Sequence, residues 1–177
     1  DQAVVSFTGS MPEAGQEFTV TYSGQDGITY TVKHLLQNIA DNGYTEAESE
    51  QKTGKAGELT KAEALNELNG LDLAKGFTAQ EPQQANIKAD GSTVIEIKYD
   101  RESFLLQVFT DGGTYVPGKM LRYGASLALP EAREMKRIGY TFDGWYYGDA
   151  NGNITEPETR VESSATMPAA DTNVVAK

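Results

Sequence analysis

A short phrase occurs twice in this chain, once near each end, and this repetition favours a modular architecture over a single large core. Residues 10–12 read Ser-Met-Pro, residues 166–168 read Thr-Met-Pro, and a short β-prone run follows each phrase. Because proline fixes φ, such a phrase sets the direction of the chain just before a closing strand. We therefore expect residues 1–24 to be the terminal strands of a preceding module or a lead-in, and residues 25–177 to be one repeat of two parts.

The first part, residues 25–101, is predicted to contain strands and one helix, and we call it the first module. Alternating or β-branched runs predict its strands, at residues 28–36, 44–52 and 93–99. Thr60 and Glu63 have the spacing of a capping box, an apolar helical stripe follows, and Gly70 suits the residue just beyond a helix. The sequence thus predicts a helix that begins near Thr60 and ends before Gly70.

The second part, residues 102–177, is called the second module and is predicted to be β-rich. Runs of β-prone residues predict its strands, at residues 103–110, 119–123 and 127–129, and residues 130–137 are expected to form one or two helical turns after Pro130. The segment at residues 139–147 is its aromatic centre. We expect Tyr140, Phe142 and Trp145 to form the structural core, because about 75 residues otherwise bury little apolar surface.

Composition excludes several functional classes. The chain has 15 basic and 26 acidic residues, a net charge of -11, so neither nucleic acid nor an anionic membrane is expected as a partner. It contains no cysteine, which removes disulfides, thiolate nucleophiles and cysteine-based metal sites. No apolar run reaches the roughly 18 residues that direct membrane insertion needs, and we expect any export signal or wall anchor to lie outside this sequence.

The few chemically suggestive residues are predicted to be structural. The only histidine, His34, lies in a strand-like run, and the alternating acids Glu46, Glu48 and Glu50 are typical of a solvated strand face. Asp143 and Asp149 are carboxylates that a glycoside hydrolase could use, but nothing in the sequence fixes their separation. We expect no catalytic residue, no cofactor and no enzymatic activity.

The loop at residues 149–153 reads Asp-Ala-Asn-Gly-Asn, and its alternating oxygen donors raise the possibility of a calcium site. It differs from the EF-hand loop at two required positions. Ile154 stands where the sharp turn needs glycine, and Arg160 stands where the bidentate glutamate belongs. A simple turn is favoured, and no metal site is predicted.

The surface aromatic residues offer a binding alternative. Trp145, Tyr146 and Tyr147 could form an exposed stacking platform for a sugar, since carbohydrate rings pack on aromatic faces, and a glycan- or mucin-binding module would use Tyr146, Tyr147 or Tyr115. Strand alternation places Tyr146 on the opposite face from its two neighbours. If these rings are exposed, a glycan or glycoprotein becomes a candidate partner.

The second module resembles the Listeria-Bacteroides repeat, which is the B-repeat type of internalin-like bacterial surface proteins. The resemblance covers residues 102–177 and rests mainly on Gly-Tyr-Thr-Phe-Asp-Gly-Trp-Tyr at 139–146 and Thr-Met-Pro-Ala at 166–169. Asp-Gly-Gly at 111–113, Tyr-Gly at 123–124 and Leu-Pro at 129–130 add to it.

The first module resembles the MucBP-type repeats of mucin-binding and related cell-wall proteins. The resemblance rests on short matches, namely Val-Lys-His-Leu at 32–35, Gly-Tyr-Thr at 43–45, Lys-Thr-Gly at 52–54, Gly-Phe at 76–77, Asp-Gly-Ser-Thr-Val at 90–94 and Tyr-Asp-Arg at 99–101. Residues 61–75 depart from that pattern.

Together the two resemblances imply an α+β, β-rich chain made of two small β-grasp-like (ubiquitin-like) modules in tandem. They imply a non-enzymatic repeat segment of an extracellular, cell-surface or cell-wall protein, which acts as a spacer and in adhesion and has neighbouring repeats of the same chain as partners. The alternative is a glycan- or mucin-binding module. By analogy with Gram-positive surface domains, a Lys-Asn isopeptide cross-link is conceivable, but the sequence identifies no residues for it.

Overall fold

Two four-stranded β-sheets follow one another along the chain in the computed structural model, which describes residues 21–177. The first sheet contains β1 (Ile28–Gln37), β2 (Tyr44–Gly54), β5 (Phe77–Ala79) and β6 (Val94–Arg101). A separate two-residue hairpin pairs β3 (Glu67–Leu68) with β4 (Leu71–Asp72). The second sheet contains β7 (Ser103–Phe109), β8 (Lys119–Arg122), β9 (Trp145–Tyr147) and β10 (Thr172–Ala176), and one 3₁₀ turn spans Ala132–Glu134.

Both sheets have the same topology. Their strand orders are β2-β1-β6-β5 and β8-β7-β10-β9, so the two central strands are parallel and each edge strand is antiparallel to its neighbour. The prediction of a β-rich fold is confirmed. The helical part of the α+β prediction is wrong for residues 21–177, which contain no α-helix, and the tandem β-grasp assignment stays a prediction.

Each sheet covers its own hydrophobic core. The first core is built from the inward side of β1 and β6 and from the long connection between β2 and β6; its largest members are Tyr30, Phe77, Ile97 and Tyr99. The second core includes Leu106, Leu127, Met167 and Val174. β6 ends at Arg101 and β7 begins at Ser103, and the division of the chain into domains at residues 25–101 and 102–177 stays a prediction.

The helix predicted from Thr60 is absent because the hydroxyl group of Thr60 is used at long range. It donates to Oε1 of Gln84 at 2.7 Å and accepts from the amide of Ala85 at 3.1 Å, so it does not cap a helix. Asn69 and Gly70 both have positive φ and turn the chain between β3 and β4. An Asn-Gly pair is a strong hairpin signal, and here it overrides the helical stripe.

Most predicted strands are present with shifted ends, and one is not. The predicted strand at residues 127–129 is an irregular segment, and the residue before it, Ser126, makes a single bridge with Thr166. The helical turns predicted after Pro130 reduce to the 3₁₀ turn. The first Met-Pro phrase and the lead-in up to residue 20 lie outside the described residues. In the second phrase Met167 is fully buried in the second core.

Candidate interaction surfaces

The two sheets meet at a junction that only one residue, Glu102, spans along the chain. We call the end of a module where its last strand stops the trailing end, and the opposite end the leading end. The Tyr123 ring of the second module packs edge-on against Phe77 of the first, with ring centroids 5.6 Å apart. A Cβ atom at Gly76 would overlap this ring, so only glycine lets it lie so close to the backbone.

Two arginines complete the junction by saturating backbone carbonyl groups. Arg101 donates through Nε to the carbonyl of Gln37 at 2.8 Å and through Nη1 to the carbonyl of Tyr123 at 2.9 Å. Partial burial lowers the pKa of Arg101 from its ordinary value. Arg122 donates to the carbonyl of Asn38 at 2.9 Å and also to the carbonyl of Asp41. The trailing end of the first module is thus tied to the leading end of the second.

The turn that carries Arg122 and Tyr123 is itself fixed by the Met-Pro phrase. The amide of Gly124 donates to the carbonyl of Met167 at 2.8 Å, and the amide of Met167 donates to the carbonyl of Ala125 at 2.8 Å. Because Met167 is buried in the second core, the turn is presented to the first module from a rigid base.

A groove of about 470 Å³ lies at the trailing end of the second module. One wall is the loop after β7, with Thr110 and Asp111; the other carries Tyr140 and Phe142, and the end of β10 borders it. Arg137 pairs with the Asp111 carboxylate, and its guanidinium lies 4.0 Å from the centroid of the Tyr140 ring. The groove is therefore a mixed aromatic and polar opening with a fixed rim.

Of the three aromatic residues predicted to form the core, one is placed wrongly. Trp145 is 6% exposed, and its Nε1 donates to the carbonyl of Pro130 at 2.9 Å. Phe142 packs edge-on against it at 5.5 Å. Tyr140 is 68% exposed, so its assignment to the core is wrong; its ring stacks under Arg137 instead, at the rim of the groove.

The tyrosines expected as sugar-binding residues lie in different environments, and Trp145 is too buried to join Tyr146 and Tyr147 in an exposed platform. Tyr115 is 81% exposed. Tyr147 packs against the second core. The Tyr146 hydroxyl donates to Asp143 at 2.6 Å, which raises the pKa of Tyr146, and Lys177 lies 5.1 Å from the centroid of its ring. Tyr115 is thus the one of the three with an uncovered ring.

His34 is the fully buried centre of a small polar network. Its Nδ1 lies 2.9 Å from the Tyr99 hydroxyl, which also accepts from the amide of Leu65 at 2.8 Å, and its Nε2 lies 3.4 Å from Glu50. A Tyr99 hydroxyl that accepts from the amide of Leu65 keeps its own proton, which it can donate to Nδ1 of His34. Both ring nitrogens are engaged in structural contacts.

Two of the three alternating acids are in ion pairs, because Glu46 pairs with Lys33 at 2.7 Å and Glu50 with Lys52 at 3.2 Å. The Asp149 loop is organised by its own donors. The Asp149 carboxylate accepts from Asn153 through both side chain and backbone and from the amide of Asn151, and these hydrogen bonds lower the pKa of Asp149.

No cluster of three or more His, Asp or Glu side chains in residues 21–177 is arranged to hold a metal ion. Within the same residues no helix has the length and apolar character to cross a membrane.

One comparison with known proteins supports the expected family of the second module. A family model described as the Listeria-Bacteroides repeat domain matches residues 108–177. The family match does not extend to residues 25–101, so their expected resemblance to MucBP-type repeats has no support. No curated protein matches the chain. Residues 108–177 are therefore similar to a Listeria-Bacteroides repeat domain, a type of repeat that occurs in bacterial surface proteins.

Proposed function

We propose that this chain is a non-enzymatic, stiff spacer segment of a bacterial cell-surface or secreted protein, located outside the cell. The observation that carries the proposal is the junction, in which Tyr123, Arg101 and Arg122 fix one module on the next. The repeat-family match over residues 108–177 supports the same conclusion, because repeats stacked in series are a common way to build length.

The strand order also suits a segment under tension. In each module the first strand runs parallel to the last strand beside it, so the chain enters at the leading end and leaves at the trailing end. A pull along the chain would have to shear the hydrogen bonds between β1 and β6 all at once, since they lie across the direction of force. Unzipping bonds one at a time would need much less force.

The single histidine supports the absence of catalysis in this proposal. His34 is completely buried, and both of its ring nitrogens face structural partners, Tyr99 and Glu50. A general base must reach the proton that it abstracts from a substrate, and this imidazole has no exposed edge.

Distances between spin labels on the two modules would test the spacer. The chain has no cysteine, so Glu63→Cys and Ser163→Cys place one label on an exposed position of each module. We expect one narrow distance distribution for this pair. Tyr123→Ala combined with Arg122→Ala removes the ring and the guanidinium from the junction and should broaden the distribution at least twofold.

Tyr115→Ala is the matched control, because it removes a tyrosine ring that is exposed and lies outside the junction. Its distribution should equal that of the labelled parent. A broad distribution in the labelled parent itself would refute a stiff spacer.

Glycan recognition is the second candidate, and the exposed ring of Tyr115 is the observation that favours it. A glycan array with the full chain would test it. Binding above background that Tyr115→Ala abolishes would support recognition of a sugar or a glycoprotein. Binding that survives both Tyr115→Ala and Tyr140→Ala would exclude these two exposed rings as the site.

A further inference from the structure

We propose that the groove at the trailing end of the second module is a docking surface for another module of the same type, attached head to tail. The occupant is a copy of residues 102–177, which would present its Arg-Tyr-Gly turn at residues 122–124 to the groove. This inference rests on the proposed spacer function. It extends that function, because it gives the second module a docking surface at the same end at which the first module contacts the second.

The argument begins with the registers of the two sheets. In the first, Phe77 lies opposite Arg101, and Tyr99 is aligned with Leu36. In the second, Trp145 lies opposite Ala176, and Val174 is aligned with Val108. These strand pairs coincide when Trp145 is aligned with Phe77, Val174 with Tyr99 and Val108 with Leu36. This alignment places the loop after β7 where the first module has the loop after β1.

The connection that leaves each module is also equivalent. The amide of Glu102 donates to the carbonyl of Gly76 at 3.0 Å, and the amide of Lys177 donates to the carbonyl of Gly144 at 2.9 Å. In the alignment above, Glu102 matches Lys177 and Gly76 matches Gly144. The chain therefore leaves the second sheet in the same way as it leaves the first sheet. After the first sheet, this path leads directly into the second module, which is docked there.

The groove lies at the part of the trailing end where the first module receives Arg122, beside a cavity of about 510 Å³ that Asn38 and Ile39 line in that module. There, the Arg122 guanidinium binds the carbonyls of Asn38 and Ile39 at 2.9 and 3.3 Å. The residues aligned with these two are Thr110 and Asp111, and both line the groove. An incoming arginine would therefore meet the backbone at Thr110 and Asp111 and would share the Asp111 carboxylate with Arg137, which already pairs with it.

The aromatic contact is shifted in the second module. Phe142 stands beside Trp145 at 5.5 Å much as Tyr123 stands beside Phe77 at 5.6 Å, and Arg160 covers the face of Gly144. An incoming tyrosine would therefore pack against Phe142 and Tyr140 inside the groove. The volume of about 470 Å³ is ample for a tyrosine side chain and part of its turn.

A chain of 1–177 followed directly by a second copy of residues 103–177 tests this docking. Ser163→Cys in both copies places a spin label on the second module and on the appended one. We expect a single narrow distance distribution. It should broaden at least twofold when Tyr123→Ala and Arg122→Ala are made in the appended copy only, and also when Tyr140→Ala is made in the second module.

Ile138→Ala in the second module is the control, because this fully exposed side chain lies close to Tyr140 in sequence but does not line the groove. It should leave the distribution narrow. A broad distribution in the unsubstituted tandem chain would overturn the inference and indicate that Phe142 and Arg160 seal this end.

The two proposals fail separately in this experiment. In a second sample of the tandem chain, the spin labels are attached at Glu63→Cys and Ser163→Cys within residues 1–177. The distance between these labels reports on the junction between the first and second modules. If the distance distribution of this pair is narrow while that of the appended module is broad, only the docking inference fails. If both distance distributions are broad, the proposal of a stiff spacer fails as well. Glycan binding that Tyr140→Ala abolishes, together with a free appended module, would also overturn the inference and assign the groove to a sugar.

Discussion

Single residues determine whether the two modules fit together, and Gly76 is the clearest case. Its φ is +77°, and a Cβ atom would overlap the ring of Tyr123. We expect Gly76→Ala to lower the free energy of unfolding by about 3 kcal/mol, because it adds left-handed backbone strain to a steric overlap. Urea unfolding measures this loss.

The variant Gly70→Ala separates the effect of backbone strain from the effect of steric overlap. Gly70 has φ +80° and open space around it, so its substitution should cost only the backbone strain, about 1 to 2 kcal/mol. Adding Tyr123→Ala to Gly76→Ala should remove the steric overlap. The loss of unfolding free energy caused by alanine at position 76 should then fall to the loss caused by alanine at position 70. A cost unchanged by Tyr123→Ala would show that the ring is not the obstacle.

The network around His34 predicts a second residue-scale effect. Tyr99→Phe deletes the hydroxyl that serves both His34 Nδ1 and the amide of Leu65 while the ring stays in the core. Because one buried and one partly buried polar group lose their partner, we expect a loss of about 3 kcal/mol in chemical unfolding. Tyr115→Phe, at an exposed position, should change stability by less than about 0.5 kcal/mol.

The Asp149 loop gives a pH dependence whose sign follows from its hydrogen bonds. Donors from Asn153 and Asn151 lower the folded pKa of Asp149 below its unfolded value. The stabilisation of the loop is therefore complete above the unfolded pKa and is lost as the pH falls through the folded pKa. Amide chemical shifts of Asn151 and Asn153 should report a titration midpoint below that of an unfolded aspartate. In Asp149→Asn this titration should disappear; a midpoint at or above the unfolded value would contradict the assignment.

At the scale of elements, the segment from Thr60 to β4 is held by contacts far away in sequence. Thr60 is buried and bonds Gln84 and Ala85 through its hydroxyl. Thr60→Ala should therefore cost about 1 to 3 kcal/mol in urea unfolding, and Thr60→Ser should recover most of the loss by restoring the hydroxyl. If serine is no better than alanine, packing of the methyl group, and not hydrogen bonding, fixes this segment.

The same segment shows where sequence prediction succeeds and where it fails. The strands β1, β6 and β7 could be predicted, because alternation and β-branched residues act within each strand. The helix at Thr60 could not be excluded, since the capping pattern is local whereas Gln84 is distant. The Asn-Gly pair at residues 69–70 was the available signal for a hairpin.

The candidate surfaces were harder to predict than the strands. Tyr-Gly at 123–124 and Gly-Phe at 76–77 were visible as short matches, but a sequence does not indicate that the ring of one lies over the glycine of the other. Tyr140 was expected inside because of its aromatic neighbours, yet the turn between Arg137 and Tyr140 directs it to the rim of the groove. Contacts between modules depend on the relative placement of two sheets, and no periodicity encodes that placement.

At the scale of the whole molecule, the junction should make the two modules unfold as one unit. Each module carries a unique native probe, because the chain has one histidine, His34 in the first sheet, and one tryptophan, Trp145 in the second. The contacts of Tyr123, Arg101 and Arg122 are lost if either partner unfolds, so each module stabilises the other.

We therefore expect the His34 imidazole signal and the Trp145 indole signal, both followed by NMR in urea, to change at the same midpoint. Tyr123→Ala combined with Arg122→Ala should separate the two midpoints by lowering that of the less stable module, since the coupling free energy is removed. Tyr115→Ala should keep them coincident. Separate midpoints in the unsubstituted chain would mean that the junction holds the modules in contact without coupling their stability, and the cooperative unit would then be the single sheet.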